Sequence, residues 1–292
     1  MNTYRIRRMS RFAGFGLIEL MIAMVLGLLV LGAAIAVFQS NQRTFDANEG
    51  TNRIQEGARV AYELMSKDIR AAGGAACSNL ARPDVEHSLT ADETALLTNF
   101  ITGSGSEFTV TSGDDTAYQV DSATTTSVVV SPGQVAQLSD AFAIGDKLVV
   151  CNANALYVVT ATAVNDGTRT LTFSPATPLA ITNDPMAPPT TVAVARYRRT
   201  RWYLDSGALY VQRDGGTGQQ VITGVTGLNV SYLQTGGNSY TASPAVWANV
   251  IAVRVNLGLR GQKALGGDIK VDGNNFINRT STSVASLRSR QL

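Results

Sequence analysis

A run from Phe15 to Phe38, FGLIELMIAMVLGLLVLGAAIAVF, carries a single charge, Glu19, and it limits what this chain can be more than any other feature. At 1.5 Å per residue, about 24 residues make a helix about 36 Å long, enough to cross the hydrocarbon layer of a bilayer. Arg5, Arg7, Arg8 and Arg11 precede the run. The positive-inside rule therefore predicts a cytoplasmic N-terminus and export of everything after Phe38. The same four arginines account for the formal net charge of +2. Without them the body of the chain stands at about −2, too little to recruit nucleic acid or anionic lipid by a global field.

Three fates are open to such a segment. It could be a plain signal anchor. It could be a cleaved signal peptide, for which Ala34-Ile35-Ala36 offers a site that would leave Val37 as the new N-terminus. In the third, the helix is kept and only the basic leader is removed. Glu19 discriminates among them, because a carboxylate in an apolar helix costs about 2.5–3.5 kcal/mol at the bilayer centre. The cost falls near a helix N-terminus, where the dipole favours negative charge. A charge kept there calls for a partner.

Gly14-Phe15-Gly16-Leu17-Ile18-Glu19-Leu20-Met21 resembles the cleavage motif of type IV pilins, with Gly16 in place of the commoner threonine. The resemblance implies cleavage by prepilin peptidase between Gly14 and Phe15 and N-methylation of Phe15. It also implies pairing of Glu19 with the N-terminal ammonium of a neighbouring subunit. An ammonium and a carboxylate in low dielectric satisfy each other, and neither tolerates lipid alone.

Helical periodicity continues beyond the membrane. The first proline is Pro83, and Gly73-Gly74 reads as a stop. Ile54, Ala58, Ala61, Met65 and Ile69 form one apolar stripe, while Glu49 with Arg53 and Glu63 with Lys67 are acid-first i,i+4 pairs. One helix is predicted from about Phe15 to Ala72, unkinked because no proline interrupts it near Ala36. Gly27 and Gly32 in its lower half read as a polymer contact.

From about residue 100 the chain alternates β-prone runs with turn clusters. The predicted strands are 107–111, 126–131, 147–151, 156–162, 170–173, 192–204, 208–212, 228–234 and 250–259. Asp205-Ser206-Gly207 and Gly236-Gly237-Asn238 are hairpin signals. Residues 74–105 and 180–191 read as loops. The fold class is α+β: a long N-terminal helix packed on an antiparallel β-sheet, with an inserted β-rich region between about 105 and 190. The predicted division is leader 1–14, transmembrane half 15–38, amphipathic half 39–72 and periplasmic head 73–292.

The two cysteines, Cys77 and Cys151, exclude a CxxC centre or a thiolate zinc site. They are either two unrelated buried thiols or, in an exported chain, a structural disulfide.

Little in the head suggests chemistry. The single histidine, His87, cannot build a multi-histidine metal site and reads as an exposed structural residue. Gly113-Asp114-Asp115-Thr116 lacks the alternating ligands of a calcium loop and reads as a surface turn. Gly103-Ser104-Gly105-Ser106 is no phosphate loop. Arg196, Arg198, Arg199 and Arg201, interleaved with Tyr197, Trp202 and Tyr203, could contact single-stranded DNA. The plainer reading is a solvated edge strand. No metal, cofactor or catalytic residue is expected.

Segments 73–77, WYLDSGALYVQR, VWANVIAVRVNLGLR and the terminal TSVASLRSRQL, in this order behind such a leader, resemble a PilW-type minor pilin. The J-type pseudopilin of type II secretion shares the layout. The resemblance implies a structural protein of pilus assembly, held in the inner membrane with a periplasmic head and then carried into the fibre. It implies adhesion, twitching motility or DNA uptake as downstream effects. Its partners would be prepilin peptidase, other minor pilins, the major pilin and a tip adhesin, with no small-molecule substrate. A membrane-anchored periplasmic binding module is the alternative from another class.

Overall fold

The computed structural model describes residues 16–75, 77, 81–83, 87–177, 192–261 and 275–290. Helix α1 spans Leu17–Ala71, 55 residues, entered from an extended Gly16. Its length follows from the lack of proline. Its end follows from Gly73, whose φ of 66° is in the left-handed region that glycine adopts without penalty. Crowding reinforces this, since a Cβ on Gly73 would sit 3.0 Å from the Phe100 ring. The backbone N–H of Gly73 then donates to Thr111 O at 2.9 Å, turning the chain onto the head. The predicted stripe is the seated face: Ile54, Ala61, Met65 and Ile69 are buried and Ala58 is half-buried.

The strands among the described residues are β1 (Ile101–Ser104), β2 (Glu107–Ala123), β3 (Ser127–Val130), β4 (Lys147–Cys151), β5 (Leu156–Asn165), β6 (Thr170–Ser174), β7 (Val192–Asp205), β8 (Ala208–Arg213), β9 (Gln219–Thr223), β10 (Val225–Gln234), β11 (Val250–Arg260) and β12 (Asn278–Ser286). Every pairing is antiparallel. One sheet runs β1-β2-β3-β6-β5-β4-β7-β8-β9, and β2 also pairs with β7. That extra pairing closes β2-β3-β6-β5-β4-β7 into a six-stranded barrel, which is the form the inserted β-rich region takes. Val128, Val130, Leu148, Tyr157, Leu171 and Phe173 help fill its interior, as expected of a small barrel. The lower strands, with the separate sheet β10-β11-β12, form the second lobe, whose core gathers around Met65, Ile69, Phe100, Phe108, Trp202 and Tyr232.

The α+β expectation holds, and several local ones change. Within the segment read as a loop, 74–105, lie helix α2 (Ala91–Leu97) and β1. Thr90 and Glu93 form a capping box at the start of α2, which satisfies two of its free N–H groups. Gly103–Ser106 is the end of β1 and its hairpin turn into β2, with Gly105 at φ 60°. A Cβ on Gly103 would lie 2.4 Å from Glu107 O, so the close strand approach requires glycine there.

Asp114-Asp115 is not a surface turn. It lies inside β2, where the register slips between Gly113 and Ala117, an irregularity of the kind that bends a strand. The slip falls where β2 passes from the lower sheet into the barrel. The 205–207 turn does close the β7–β8 hairpin, with Ser206 and Gly207 both at positive φ. The turn at Gly236 opens a longer connection before β11. The alternation in 250–259 holds from Val253 onward, but a register shift opposite Ala252 breaks it, so Ala252 is buried and Ile251 half-buried. The loop predicted at 180–191 lies outside the described residues.

Candidate functional site

The lower half of α1 is bare of its own head among the described residues. From Gly16 to Phe45 every residue is exposed, and the most apolar window has a mean hydropathy of 2.8. The helix is therefore long and apolar enough to cross a membrane. Glu19 is in its first turn, with its backbone N–H donating to Gly16 O at 3.0 Å. A Cβ placed on Gly27 or Gly32 would meet nothing within 4 Å, so nothing among the described residues calls for glycine at either place. Gly14 and Phe15 lie outside the described residues.

The upper half is fixed to the head by polar contacts as well as by its stripe. Trp202 Nε1 donates to Asp68 Oδ2 at 2.8 Å across the helix–sheet interface. Burial raises the Asp68 carboxyl above the usual carboxylate range, opposed by that hydrogen bond and by Arg213 and Lys67. Tyr62 OH donates to Val284 O at 3.2 Å, and Ser289 Oγ to Ala72 O at 2.7 Å. Of the two expected intrahelical pairs, Glu49–Arg53 forms at 2.8 Å. Glu63 instead takes Arg59, while Lys67 reaches Asp115 at 2.6 Å, because the slip in β2 brings that carboxylate over the helix.

Cys77 and Cys151 are joined in a disulfide with Cα atoms 5.9 Å apart. It ties the segment after α1 to β4 of the barrel. Around it Ala81, Leu96, Leu97, Val149, Leu156 and Val158 form a small core between α2 and the outer barrel wall. Glu93 is the polar centre of this clamp. Its Oε2 accepts from Thr90 N–H and Thr90 Oγ1, both at 2.9 Å, and its Oε1 accepts from Val158 N–H at 3.1 Å. His87 lies 2.8 Å from Glu93 Oε2 and packs edge-on against Tyr157. It is thus a half-buried clamp residue rather than an exposed one. The sequence signal for this network was Thr90-Ala-Asp-Glu93, a capping box.

The arginine-rich strand β7 is not an edge. It has β2 on one side and β4 and β8 on the other. Three of its four arginines are paired: Arg196 with Asp146 at 3.2 Å, Arg198 with Asp114 at 2.8 Å, and Arg201 with Glu107, while the backbone N–H of Arg199 donates to Asp214 Oδ1 at 2.7 Å. Asp114 also raises the pKa of Arg198, mainly through their hydrogen bond. An open groove of 470 Å³ runs past Asp92, Asp146, Lys147, Arg196, Tyr197 and Arg198, and Lys147 is paired there with Asp92 at 2.6 Å. Burial pushes the Tyr197 hydroxyl up to about 12. These pairs leave the groove close to neutral, with little excess charge for a phosphate backbone. Among the described residues no group of three or more His, Cys, Asp or Glu side chains is placed to hold a metal.

Residues 9–35 match the family profile described as the prokaryotic N-terminal methylation motif. Among solved structures, a type IV-like pilin from Thermus thermophilus is similar over 50% of this chain and 86% of its own, at 13% identity and a TM-score of 0.24. No curated protein gave a match. In this chain a methylation motif leads a long apolar helix into an antiparallel β head.

Proposed function

We propose that the chain is a minor pilin of type IV pilus assembly, of the PilW type. Prepilin peptidase cleaves it after Gly14, Phe15 is methylated, and residues 15–38 hold it in the inner membrane with the head in the periplasm. Residues 39–72 form the amphipathic half of the helix, seated from Asp46 upward on the head, 73–292. On extraction into the fibre, the exposed lower half of α1 packs among the helices of other minor pilins and the major pilin. Glu19 sets register by meeting a neighbour's terminal ammonium. The observation that carries this reading is a first-turn carboxylate on a helix half that its own head leaves bare, behind a methylation motif. Both groups of the Glu19–ammonium pair are costly in lipid, so each rewards assembly with the other.

The test is the mass and N-terminal sequence of the mature protein from its native host. A methylated Phe15 terminus is expected. A Val37 terminus or an intact Met1 would overturn the reading. Glu19→Ala is expected to leave membrane insertion intact and to lower recovery in sheared fibres by about tenfold, the equivalent of about 1.4 kcal/mol; undiminished recovery would remove the register role.

A further inference from the structure

A β-sheet edge presents unpaired backbone groups, and folded proteins shorten, bend or cover such edges. Among the described residues, three of the four sheet edges in this head are managed in that way. Strand β1 has four residues. Strand β9 has five, with a register shift against β8. Strand β10 carries two register shifts, and its outer side is bridged by Thr241, which exchanges both backbone hydrogen bonds with Tyr232.

Strand β12 is different. It pairs with β11 over nine consecutive residues without a slip. It contains no proline and no lysine, and its one charge is Arg279 at the end. The bonds from Leu287 N to Ile251 O and from Gly261 N to Ile277 O show that odd-numbered residues face β11. In an antiparallel ladder the alternate residues then turn both backbone groups outward: Thr280, Thr282 and Val284. Val284 O is taken by Tyr62. The outward N–H and C=O of Thr280 and Thr282 have no partner among the described residues. All three side chains are exposed. Beside them an open groove of 730 Å³ lies between the strand and α1, floored by Ala58 and Tyr62.

We propose that the outer edge of β12 is a docking site for an extended strand of a different protein chain, which adds to the β10-β11-β12 sheet as a fourth strand. Main-chain hydrogen bonds to Thr280 and Thr282 hold the incoming strand, in the manner of strand addition to a free edge. The groove is basic at Arg279 and apolar at Val284. The incoming strand therefore presents an acidic residue at the first end and an apolar one at the second.

An antiparallel pairing with β12 of a second copy does not fit. Strand β12 runs parallel to α1, because Gly50 meets Ile277, Tyr62 meets Val284 and Ala72 meets Ser289. A twofold antiparallel β12–β12 pair would set the two α1 helices antiparallel, and two chains inserted in one membrane with the same topology cannot adopt that. This exclusion rests on the membrane-anchored reading given above.

The test places a photo-crosslinking residue, benzoylphenylalanine, at position 282 of the full chain in its native membrane. A single heterologous adduct is expected, mapping by mass spectrometry to an extended segment of the partner. Thr280→Pro removes an outward N–H and leaves the β11 ladder intact, and it should lower that adduct at least tenfold with an unchanged melting temperature. Arg279→Glu, which touches no ladder group, should lower it several-fold and keeps the test open if the proline variant fails to fold. Absence of an adduct, or an adduct indifferent to both substitutions, would overturn the docking edge. An adduct of the chain with itself would overturn the choice of partner and point to failure of the membrane orientation instead.

Discussion

The two halves of α1 are one uninterrupted helix in two different environments. Above Asp46 it is a component of a folded domain, with Ile54, Ala61, Met65 and Ile69 enclosed by two sheets. Below that point its side chains are exposed, although they are more apolar than those above. Hydrophobicity alone therefore does not determine what a helix face buries against. The upper half uses a narrow stripe of apolar residues at helical spacing, which fits a sheet. The lower half is apolar all round, which suits lipid or other helices. The polar groups follow the same division. Asp68 is paired inside the head with Trp202, whereas Glu19 is exposed in the first turn of the helix.

Substitutions can break or sharpen this contrast. The largest effect is expected from Cys151→Ser, which frees the upper end of α1 from the barrel wall. Opening a loop of 74 residues should cost the head about 4 kcal/mol in denaturant unfolding; an unchanged midpoint would show that α2 alone holds the clamp. Next, Ile69→Ala should cost about 2–5 kcal/mol by leaving a cavity. Leu29→Ala in the lower half should change head stability by less than about 0.5 kcal/mol, and equal effects would abolish the distinction between the halves. Tyr62→Phe removes the donor to Val284 O at an exposed site and should cost about 0.5–1.5 kcal/mol, read as a small shift in the same midpoint.

The smallest effect is a matter of sign. Because burial raises the Asp68 pKa in the folded state, the folded form binds the extra proton. Its contribution is then most favourable below the ordinary carboxylate pKa and declines as pH rises through the raised one. Asp68→Asn keeps an acceptor for Trp202 and should lack that decline. Stability measured from pH 3 to 7 should therefore fall less steeply in the variant. Parallel curves would show that Arg213 and Lys67 fully offset the burial.

Much of this fold was legible in the sequence because the signals are local. The stripe, the glycine stop after Ala72 and the Asp205-Ser206-Gly207 turn each lie within a few residues of what they specify. Strands β9 and β12 were not legible, since QQVIT and NRTSTSVAS are largely polar and lack a buried alternation. Barrel closure was hidden for a different reason. It depends on β2 meeting β7 across more than seventy residues, as in Val120 opposite Val192, and no periodicity within either strand encodes that. Three arginines of β7, Arg196, Arg198 and Arg201, show the same limit, because they take their partners from a distant strand or turn: Asp146, Asp114 and Glu107. Around α1 the residue types at Glu19 and along the stripe were readable. The Asp68–Trp202 bond spans 134 positions and was not.

The parallel course of α1 and β12 has a mechanical consequence. A pull along α1 enters the head through contacts such as Tyr62 to Val284 and Ser289 to Ala72. Because the strand lies along the direction of pull, the nine-residue ladder between β11 and β12 is loaded in shear. Its hydrogen bonds then share the force together and do not open one after another from an end.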